Sequence, residues 1–308
     1  MRKTSLECVY DLAKKDKRVL FIGSDLGPGV LANFKKEMPE RFFMEGVAEQ
    51  HIVGMAAGMA LEGFVPYVNT IATFLTRRCF EQNVLDLGLH NTNVRLISNG
   101  GGTVYAPLGP THLAIEDIAI MRSIPNMTIV SPADADEMRR FMMQTLDYEG
   151  PIYIRLGKGY DPIVSNDNFP FQIGKAIPMR DGSDLLIITT GITLALALEA
   201  ADSLKSKNIN VSVLHMHTIK PLDKDQLIGM VDKVPAVITL EENTILGGLG
   251  SACAEVILEE GFKEKKSFKR IGIPDIFPSG YGNQKDMMAR NGISVPGILK
   301  IAEELLKN

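Results

Sequence analysis

Short apolar runs alternate along the chain with longer segments whose apolar residues recur at helical spacing. The short runs predict β-strands, and the segments between them predict α-helices. In the first half, strands are expected at 18–23, 41–44, 65–69, 93–98, 127–131 and 152–156, and helices at 4–15, 49–62, 71–89, 113–122 and 133–147. Continuous apolar strands that alternate with helices are typical of a mostly parallel sheet covered on both faces.

The second half repeats this alternation on a smaller scale, after a polar segment rich in turn-forming residues. Strands are expected at 184–190, 210–215, 235–240 and 269–273, and helices at 192–206, 222–232, 248–260 and 294–306. The polar segment is typical of a linker between domains. The pattern therefore predicts an α/β protein with two doubly wound domains, at 1–165 and 184–308, joined by a linker at 166–183.

Composition narrows the class of protein. The 308 residues are 45% hydrophobic, enough for two cores, and the net charge of −4 gives no basic surface for nucleic acid. Three widely spaced cysteines, Cys8, Cys79 and Cys253, fit a reducing compartment. No apolar run approaches the roughly 18 residues of a membrane span, and no CxxC or HExxH pattern indicates a metal site. We expect a soluble cytoplasmic protein that binds neither nucleic acid nor membrane.

The first candidate functional residue is a carboxylate at the head of an apolar run. Glu49 precedes small residues that include Gly54, Ala56, Ala57 and Gly58. A helix of such residues lets another surface approach closely. A carboxylate beside it must find a partner or change its pKa, because an isolated buried carboxylate is strongly disfavoured.

The second candidate lies in the glycine-rich and proline-rich loop SNGGGTVYAPLGPTH at 98–112. This loop follows a predicted strand, at the end where ligands bind in open α/β sheets. His112 ends the loop and is expected to open the next helix. It can serve as a general acid or base near neutral pH, or simply cap the helix, and chemistry alone leaves these readings equal.

Other features have simpler interpretations when taken alone. Phe74 is expected to be a core residue, and Arg77 and Arg78 are expected to lie on a solvated face of a helix. The string GGLGSA at 247–252 opens a predicted helix whose amides could hold an anion, but it matches no nucleotide-binding pattern, so close packing is favoured. His215 and His217 are interpreted as structural or surface residues.

Four strings together resemble one enzyme group. EGVAEQHIVGMAAGMALEGFVPYVNTIATFLTRRCFEQ at 45–82 and GPTHLAIEDIAIMRSIPNMTIVSPADADE at 109–137 resemble the pyrimidine-binding domain of the transketolase and deoxyxylulose-phosphate synthase group. TIKPLD at 218–223 and TLEENTILGGLGSACAEVI at 239–257 resemble its smaller C-terminal α/β domain. The resemblance covers nearly the whole chain and implies thiamine diphosphate as cofactor.

The resemblance also implies roles for individual residues. Glu49 corresponds to the catalytic glutamate that hydrogen-bonds N1′ of the aminopyrimidine and favours the imino form, which then deprotonates the thiazolium ring. Phe74 matches the aromatic residue that stacks on the pyrimidine, and His112 matches a catalytic histidine that contacts substrate oxygen. Asp25 and Leu26 resemble a loop that meets the cofactor from the pyrimidine side.

One expected motif is absent from the sequence. Enzymes of this group hold Mg²⁺ and the diphosphate with a Gly-Asp-Gly sequence and a later asparagine, but no Gly-Asp-Gly occurs in these 308 residues. The resemblance therefore implies a split enzyme, in which a separate chain carries the diphosphate-binding domain and its Mg²⁺. We expect an α2β2 heterotetramer, with the active site formed where the two kinds of chain meet.

The substrate positions depart from the group's pattern. Leu108 stands where transketolases have an aspartate, and the triple glycine at 100–102 replaces a histidine or arginine that binds substrate. Lys158 aligns with an arginine that grips the acceptor phosphate, but lysine lacks the bidentate fork. Arg2 matches a phosphate-binding arginine. The expected substrates are sugars, and both their identity and their phosphorylation stay open.

The leading expectation is the β-type subunit of a split transketolase, which moves a two-carbon ketol unit from a ketose donor to an aldose acceptor. Two alternatives use the same domains: decarboxylating carboligation of the deoxyxylulose-phosphate synthase type, and the β subunit of a 2-oxoacid dehydrogenase. A non-catalytic scaffold is a further alternative. The joint presence of Glu49, Phe74 and His112 argues against it, because a scaffold has no physical need for a carboxylate at that place.

Overall fold

The computed structural model describes residues 1–24, 29–157, 159, 161–280 and 282–307. Its strands are β1 Val19–Gly23, β2 Phe42–Met44, β3 Val65–Ile71, β4 Arg95–Asn99, β5 Thr128–Val130, β6 Ile152–Leu156, β7 Ile177–Arg180, β8 Leu185–Thr189, β9 Val211–His215, β10 Thr218–Lys220, β11 Ala236–Thr244 and β12 Ser267–Ile273. Its α-helices are α1 Arg2–Lys15, α2 Ala32–Glu37, α3 Glu49–Leu61, α4 Ala72–Thr76, α5 Phe80–Gln82, α6 Asp117–Arg122, α7 Ala135–Met142, α8 Thr193–Lys205, α9 Lys224–Asp232, α10 Leu249–Glu260, α11 Gln284–Arg290 and α12 Val295–Leu306.

The first half of the chain forms most of a seven-stranded sheet, in the order β10-β5-β6-β4-β3-β1-β2. The pairs among β1 to β6 are parallel. Strands β1, β3, β4, β5 and β6 are buried along their whole length. That explains why they read as continuous apolar runs rather than as alternating ones, since both faces of a parallel sheet are covered.

The second half forms a five-stranded sheet in the order β12-β11-β8-β9-β7. Its strands are parallel except β7, which pairs antiparallel with β9. Strand β7 lies inside the segment predicted as a linker, where its residues alternate between buried and exposed. The prediction of two α/β domains with mostly parallel sheets is confirmed.

The predicted helix at 71–89 is interrupted. It consists of α4, three turn residues at 77–79, the short α5 and a π-helical stretch at Asn83–Leu89. Changes of helical register of this kind are frequent at functional sites. Here the break begins three residues after Phe74, at the end of α4, and places Arg77 and Arg78 on a turn.

The helix predicted to start at 113 begins only at Asp117. Ala114 is instead extended: its N–H donates to the carbonyl of Gly102 at 3.0 Å, and its carbonyl accepts from the Gly102 N–H at 2.8 Å. The backbone of this segment is thus satisfied by the glycine loop rather than by a helix. His112 lies in a single 3₁₀ turn, Pro110–His112, and the expectation that it opens the helix is wrong.

The two halves are joined by shared structure. Strand β10 of the second half pairs antiparallel with β5 at the edge of the first sheet. One apolar core contains buried residues of both halves, among them Val68 and Leu96 from the first sheet and Leu186 and Val237 from the second. Within the part of the chain that the structure describes, no helix is long and apolar enough to cross a membrane.

Candidate active site

Glu49 is the first residue of α3, and its side chain is only 1% exposed. Helix α3 packs against β3, with the small residues Ala56 and Ala57 buried in the contact. The N-terminal end of a helix favours a negative charge, because the peptide dipoles leave partial positive charge there. The fold therefore places a buried carboxylate at the N-terminal end of a helix.

The partner of this carboxylate is Arg78. Its Nη1 donates to Oε2 of Glu49 at 2.6 Å, and its guanidinium carbon lies 4.5 Å from the centre of the Phe74 ring. The arginine is exposed, as the sequence predicted for a helical face, but it is paired rather than merely solvated. Phe74 is half-buried, so it is not a plain core residue.

His112 reaches the same group from a different loop. Its imidazole ring meets the Phe74 ring edge-on, with the ring centres 5.3 Å apart, and its Nδ1 lies 2.9 Å from the Thr111 hydroxyl. The loop is tied down by Arg77, which forms an ion pair with Glu116. Contacts therefore run from Glu49 through Arg78 and Phe74 to His112, and the three central residues predicted from the sequence lie together.

Arg77, like Arg78, is a functional candidate that the sequence analysis missed. Besides the pair with Glu116, its Nη2 donates to the carbonyl of Leu113 at 2.6 Å, and its Nη1 donates to that of Pro110 at 3.4 Å. The available signal was the position of both arginines three and four residues after Phe74, in FLTRR. Both arginines stay exposed, and charge pattern alone does not show that adjacent arginines have different partners.

The remaining predicted site residues are less completely described. Asp25, Leu26 and Lys158 lie outside the described residues. Arg2 begins α1 beside Met1, which packs close to Gly157 and Gly159 in the loop after β6. Arg2 therefore lies near the loop that carries Lys158 in the sequence.

The triple glycine at 100–102 is required by packing. A Cβ on Gly101 would lie 2.7 Å from Cγ of Arg155, and one on Gly102, whose φ is +75°, would lie 2.7 Å from Oε2 of Glu242. Gly100 has φ +78° and would meet the Tyr105 ring. Side chains at these positions would displace a buried arginine and a buried glutamate, so the local structure itself explains the departure from the group's pattern.

Beneath this loop lies a buried ion pair. Nε of Arg155 donates to Oδ2 of Asp117 at 2.8 Å, and the two side chains are 6% and 0% exposed. The Tyr153 hydroxyl donates to the same oxygen at 2.8 Å. Burial lowers the pKa of the Arg155 guanidinium, but Asp117, together with Glu242 and Tyr153, raises it, and the net shift is upward. The arginine is therefore charged, and the pair fixes the start of α6 against β6.

Two acidic residues of β11 serve the second domain and its junction with the first. Oε2 and Oε1 of Glu241 accept from the amides of Leu249 and Gly250 at 2.7 and 2.8 Å, so the amides at the GGLGSA helix start bond the protein's own carboxyl group. Burial raises the pKa of Glu241 to about 7, against the opposing effect of these amides. The packing interpretation of the glycine cluster at 247–252 is supported.

The other acidic residue, Glu242, accepts from the Thr103 N–H and hydroxyl at 2.8 and 2.6 Å.

His215 and His217, which have no assigned task, are buried at the junction of the domains. Nε2 of His215 lies 3.0 Å from Oε2 of Glu137. His217 stacks on Phe171 with ring centres 4.0 Å apart, and burial lowers its pKa to about 3. They are structural rather than surface residues.

Sequence comparison places this fold and site in one family. Residues 1–160 match the family of the transketolase pyrimidine binding domain, and residues 174–298 match that of the transketolase C-terminal domain. The chain belongs to the transketolase family, the thiamine-diphosphate-dependent transferases indicated by its sequence motifs.

The relatives include single subunits of split enzymes. The chain is 36% identical over 308 residues to one of the subunits of an apulose-4-phosphate transketolase from Phocaeicola vulgatus, covering 99% of this chain and 97% of the relative. It is 34% identical over 306 residues to 6-deoxy-6-sulfo-D-fructose transketolase subunit SqwH of a Clostridium species, covering 99% and 94%. A solved structure described as a split gene transketolase, inactive beta4 tetramer, superposes with a TM-score of 0.90 at 32% identity, covering 99% and 98%.

The residues present fit the aminopyrimidine of thiamine diphosphate, the cofactor of this family. The guanidinium of Arg78 is a planar N–H donor that lies over Phe74 and reaches Glu49. An aminopyrimidine whose ring nitrogen carries a proton, as in the imino form, can make the same two contacts, with an aromatic face and with a carboxylate acceptor. The site therefore accommodates a flat, nitrogen-rich ring between these side chains.

Proposed function

We propose that this chain is the pyrimidine-binding subunit of a split transketolase, which transfers a two-carbon ketol unit from a ketose donor to an aldose acceptor. The observation that carries the proposal is the buried Glu49 at the start of α3, which Arg78 links to half-buried Phe74, in a sequence that contains no Gly-Asp-Gly. A separate subunit supplies the diphosphate and Mg²⁺ site, and the complex is an α2β2 heterotetramer. The close relatives named as subunits of transketolases support this assignment.

In this proposal each residue has a distinct task. Thiamine diphosphate, when bound, supplies the nucleophilic carbon of the reaction. Glu49 accepts a hydrogen bond from N1′ of the aminopyrimidine and so favours the imino form of that ring. Phe74 fixes the plane of the ring. Asp25 and Leu26 belong to a loop that meets the cofactor from the pyrimidine side. His112 donates a hydrogen bond to the substrate oxygen on which charge develops.

The proposed substrates are sugars with an anionic group. The two relatives carry a phosphate or a sulfonate in the names of their substrates. In this chain, Arg2 and Lys158 are the proposed cationic contacts, and Arg2 lies near the loop after β6 that carries Lys158. A lysine can hold either anion as a point charge.

Reconstitution tests the proposal. The chain is mixed with the Gly-Asp-Gly subunit, Mg²⁺ and thiamine diphosphate, and ketol transfer is measured beside pyruvate decarboxylation. We expect ketol transfer only in the mixture, and a loss in Glu49→Gln of at least about 10²-fold, as for the loss of a positioned acid or base. The matched control is Arg139→Gln, at an exposed position of α7.

Two results would contradict the proposal. Turnover that survives Glu49→Gln would remove the assigned mechanism. Tight binding of thiamine diphosphate by the chain alone would remove the need for a partner. Pyruvate decarboxylation without ketol transfer would instead favour the decarboxylating alternative.

A further inference from the structure

The guanidinium of Arg78 occupies a position that a bound ring would need. Its Nη1 lies 2.6 Å from Oε2 of Glu49, while its central carbon lies 4.5 Å from the centre of the Phe74 ring. A planar group on this face of Phe74 therefore reaches Glu49. A ring that stacks on Phe74 and also bonds Glu49 must lie on that same face.

The contact also answers an electrostatic need. Glu49 is 1% exposed, and burying a carboxylate is strongly disfavoured unless a cation or several hydrogen bonds compensate for the lost water. Arg78 supplies the cation. Its own side chain is 41% exposed, so the arginine can leave for solvent at little desolvation penalty, whereas Glu49 cannot.

The two adjacent arginines differ in how firmly they are held. Arg77 pairs with Glu116 and donates to the carbonyls of Leu113 and Pro110, so it stays with the His112 loop. Arg78 lies in the three-residue turn between α4 and α5. Rotation of one side chain in that turn uncovers Glu49 and Phe74 without moving either element.

We propose that Arg78 is an internal stand-in for the aminopyrimidine. In the cofactor-free chain it pairs with Glu49 and covers Phe74; when thiamine diphosphate enters the assembled enzyme, the ring displaces it and takes over both contacts. The inference rests on the proposed function, because it needs the ring to bind at Glu49. It makes Arg78 a residue that sets cofactor affinity by competing with the cofactor.

The test uses the reconstituted complex with Mg²⁺, and measures thiamine diphosphate affinity by calorimetry for wild type, Arg78→Gln and Arg139→Gln. Removal of a competing charge-assisted hydrogen bond predicts roughly tenfold tighter binding in Arg78→Gln. Arg139→Gln should bind as wild type does. In the Glu49→Gln background, Arg78→Gln should no longer tighten binding, because the contact it competes for is gone.

Thermal unfolding of the cofactor-free full-length chain supplies the second readout. Arg78→Gln should lower its midpoint by about 2–4 °C, since Glu49 is left buried without its cation. An arginine with a purely structural role would lower the midpoint and weaken cofactor binding together. Unchanged or weaker thiamine diphosphate affinity in Arg78→Gln, or an unchanged unfolding midpoint, would contradict the role of Arg78 as a stand-in. Turnover that survives in Glu49→Gln would contradict the proposed function instead.

Discussion

Replacing Arg155 with methionine should destabilise the chain strongly. The substitution removes the cation from a pair whose side chains are 6% and 0% exposed, and leaves Asp117 with the Tyr153 hydroxyl at 2.8 Å. Removing one partner of a buried pair destabilises by about 3–5 kcal/mol. Nη2 of Arg155 also donates to the carbonyl of Glu242 at 2.8 Å, and an unsatisfied buried carbonyl adds roughly 1 kcal/mol or more.

The expected loss is therefore about 4–6 kcal/mol, against a total stability of roughly 5–15 kcal/mol for a typical domain. Urea unfolding followed by circular dichroism measures it. The matched control is Lys3→Met, which breaks the exposed pair of Lys3 and Glu7 at 3.6 Å and should change stability by at most about 0.5 kcal/mol.

A double-mutant cycle separates charge from packing. Asp117→Asn in the Arg155→Met background removes the unpaired buried charge, so the double variant should be more stable than Arg155→Met alone. If Arg155→Met destabilised no more than Lys3→Met, or if Asp117→Asn gave no recovery, the pair would not be charged and buried as described, and the reasoning would fail.

Three further outcomes are expected. Gly102→Ala should destabilise by roughly 2–4 kcal/mol in urea unfolding, since φ is +75° and its Cβ would meet Glu242, whereas Gly292→Ala, with φ +77° and open space, should lose only about 1 kcal/mol. His217 has a pKa near 3 when folded against 6.5 when unfolded, so the unfolded chain binds the extra proton and stability should fall by roughly 2 kcal/mol between pH 6.5 and 5. His217→Gln should flatten that slope; an unchanged slope would contradict it. Burial raises the pKa of the Cys8 thiol to about 11, so the native chain should react with a thiol reagent at pH 8 far more slowly than the denatured chain.

The sequence predicted the strands well for a physical reason. Strands such as β4 and β6 are buried on both faces, so apolar residues follow one another directly, as in LI at 96–97 and IYI at 152–154, without the alternation of a half-exposed strand. Strand β7 was missed because it lies at an edge of the second sheet, where only alternate residues are buried and the run IPMR looks like a loop. Pattern is informative where burial is complete and less so at edges, where the short β7 and β10 were missed although β2 and β12 were predicted.

For the site, the sequence identified residues whose chemistry is conspicuous and missed those whose value depends on a partner. Glu49 was conspicuous because a carboxylate heads an apolar helix. Asp117 and Arg155 were not, because each is an ordinary charged residue until the fold sets them 2.8 Å apart. Pairing across many intervening residues leaves no local trace in the pattern.

The arginine turn shows the same limit in a sharper form. A continuous helix over 71–89 would carry Arg77 and Arg78 about 100° apart on one solvated surface. The break after α4 instead sends Arg77 to the segment with Glu116 and Arg78 to Glu49. Two adjacent, chemically identical residues thereby acquire different tasks, one holding the His112 loop and the other covering the carboxylate. No property of either residue distinguishes them, so their roles follow from where the helix ends.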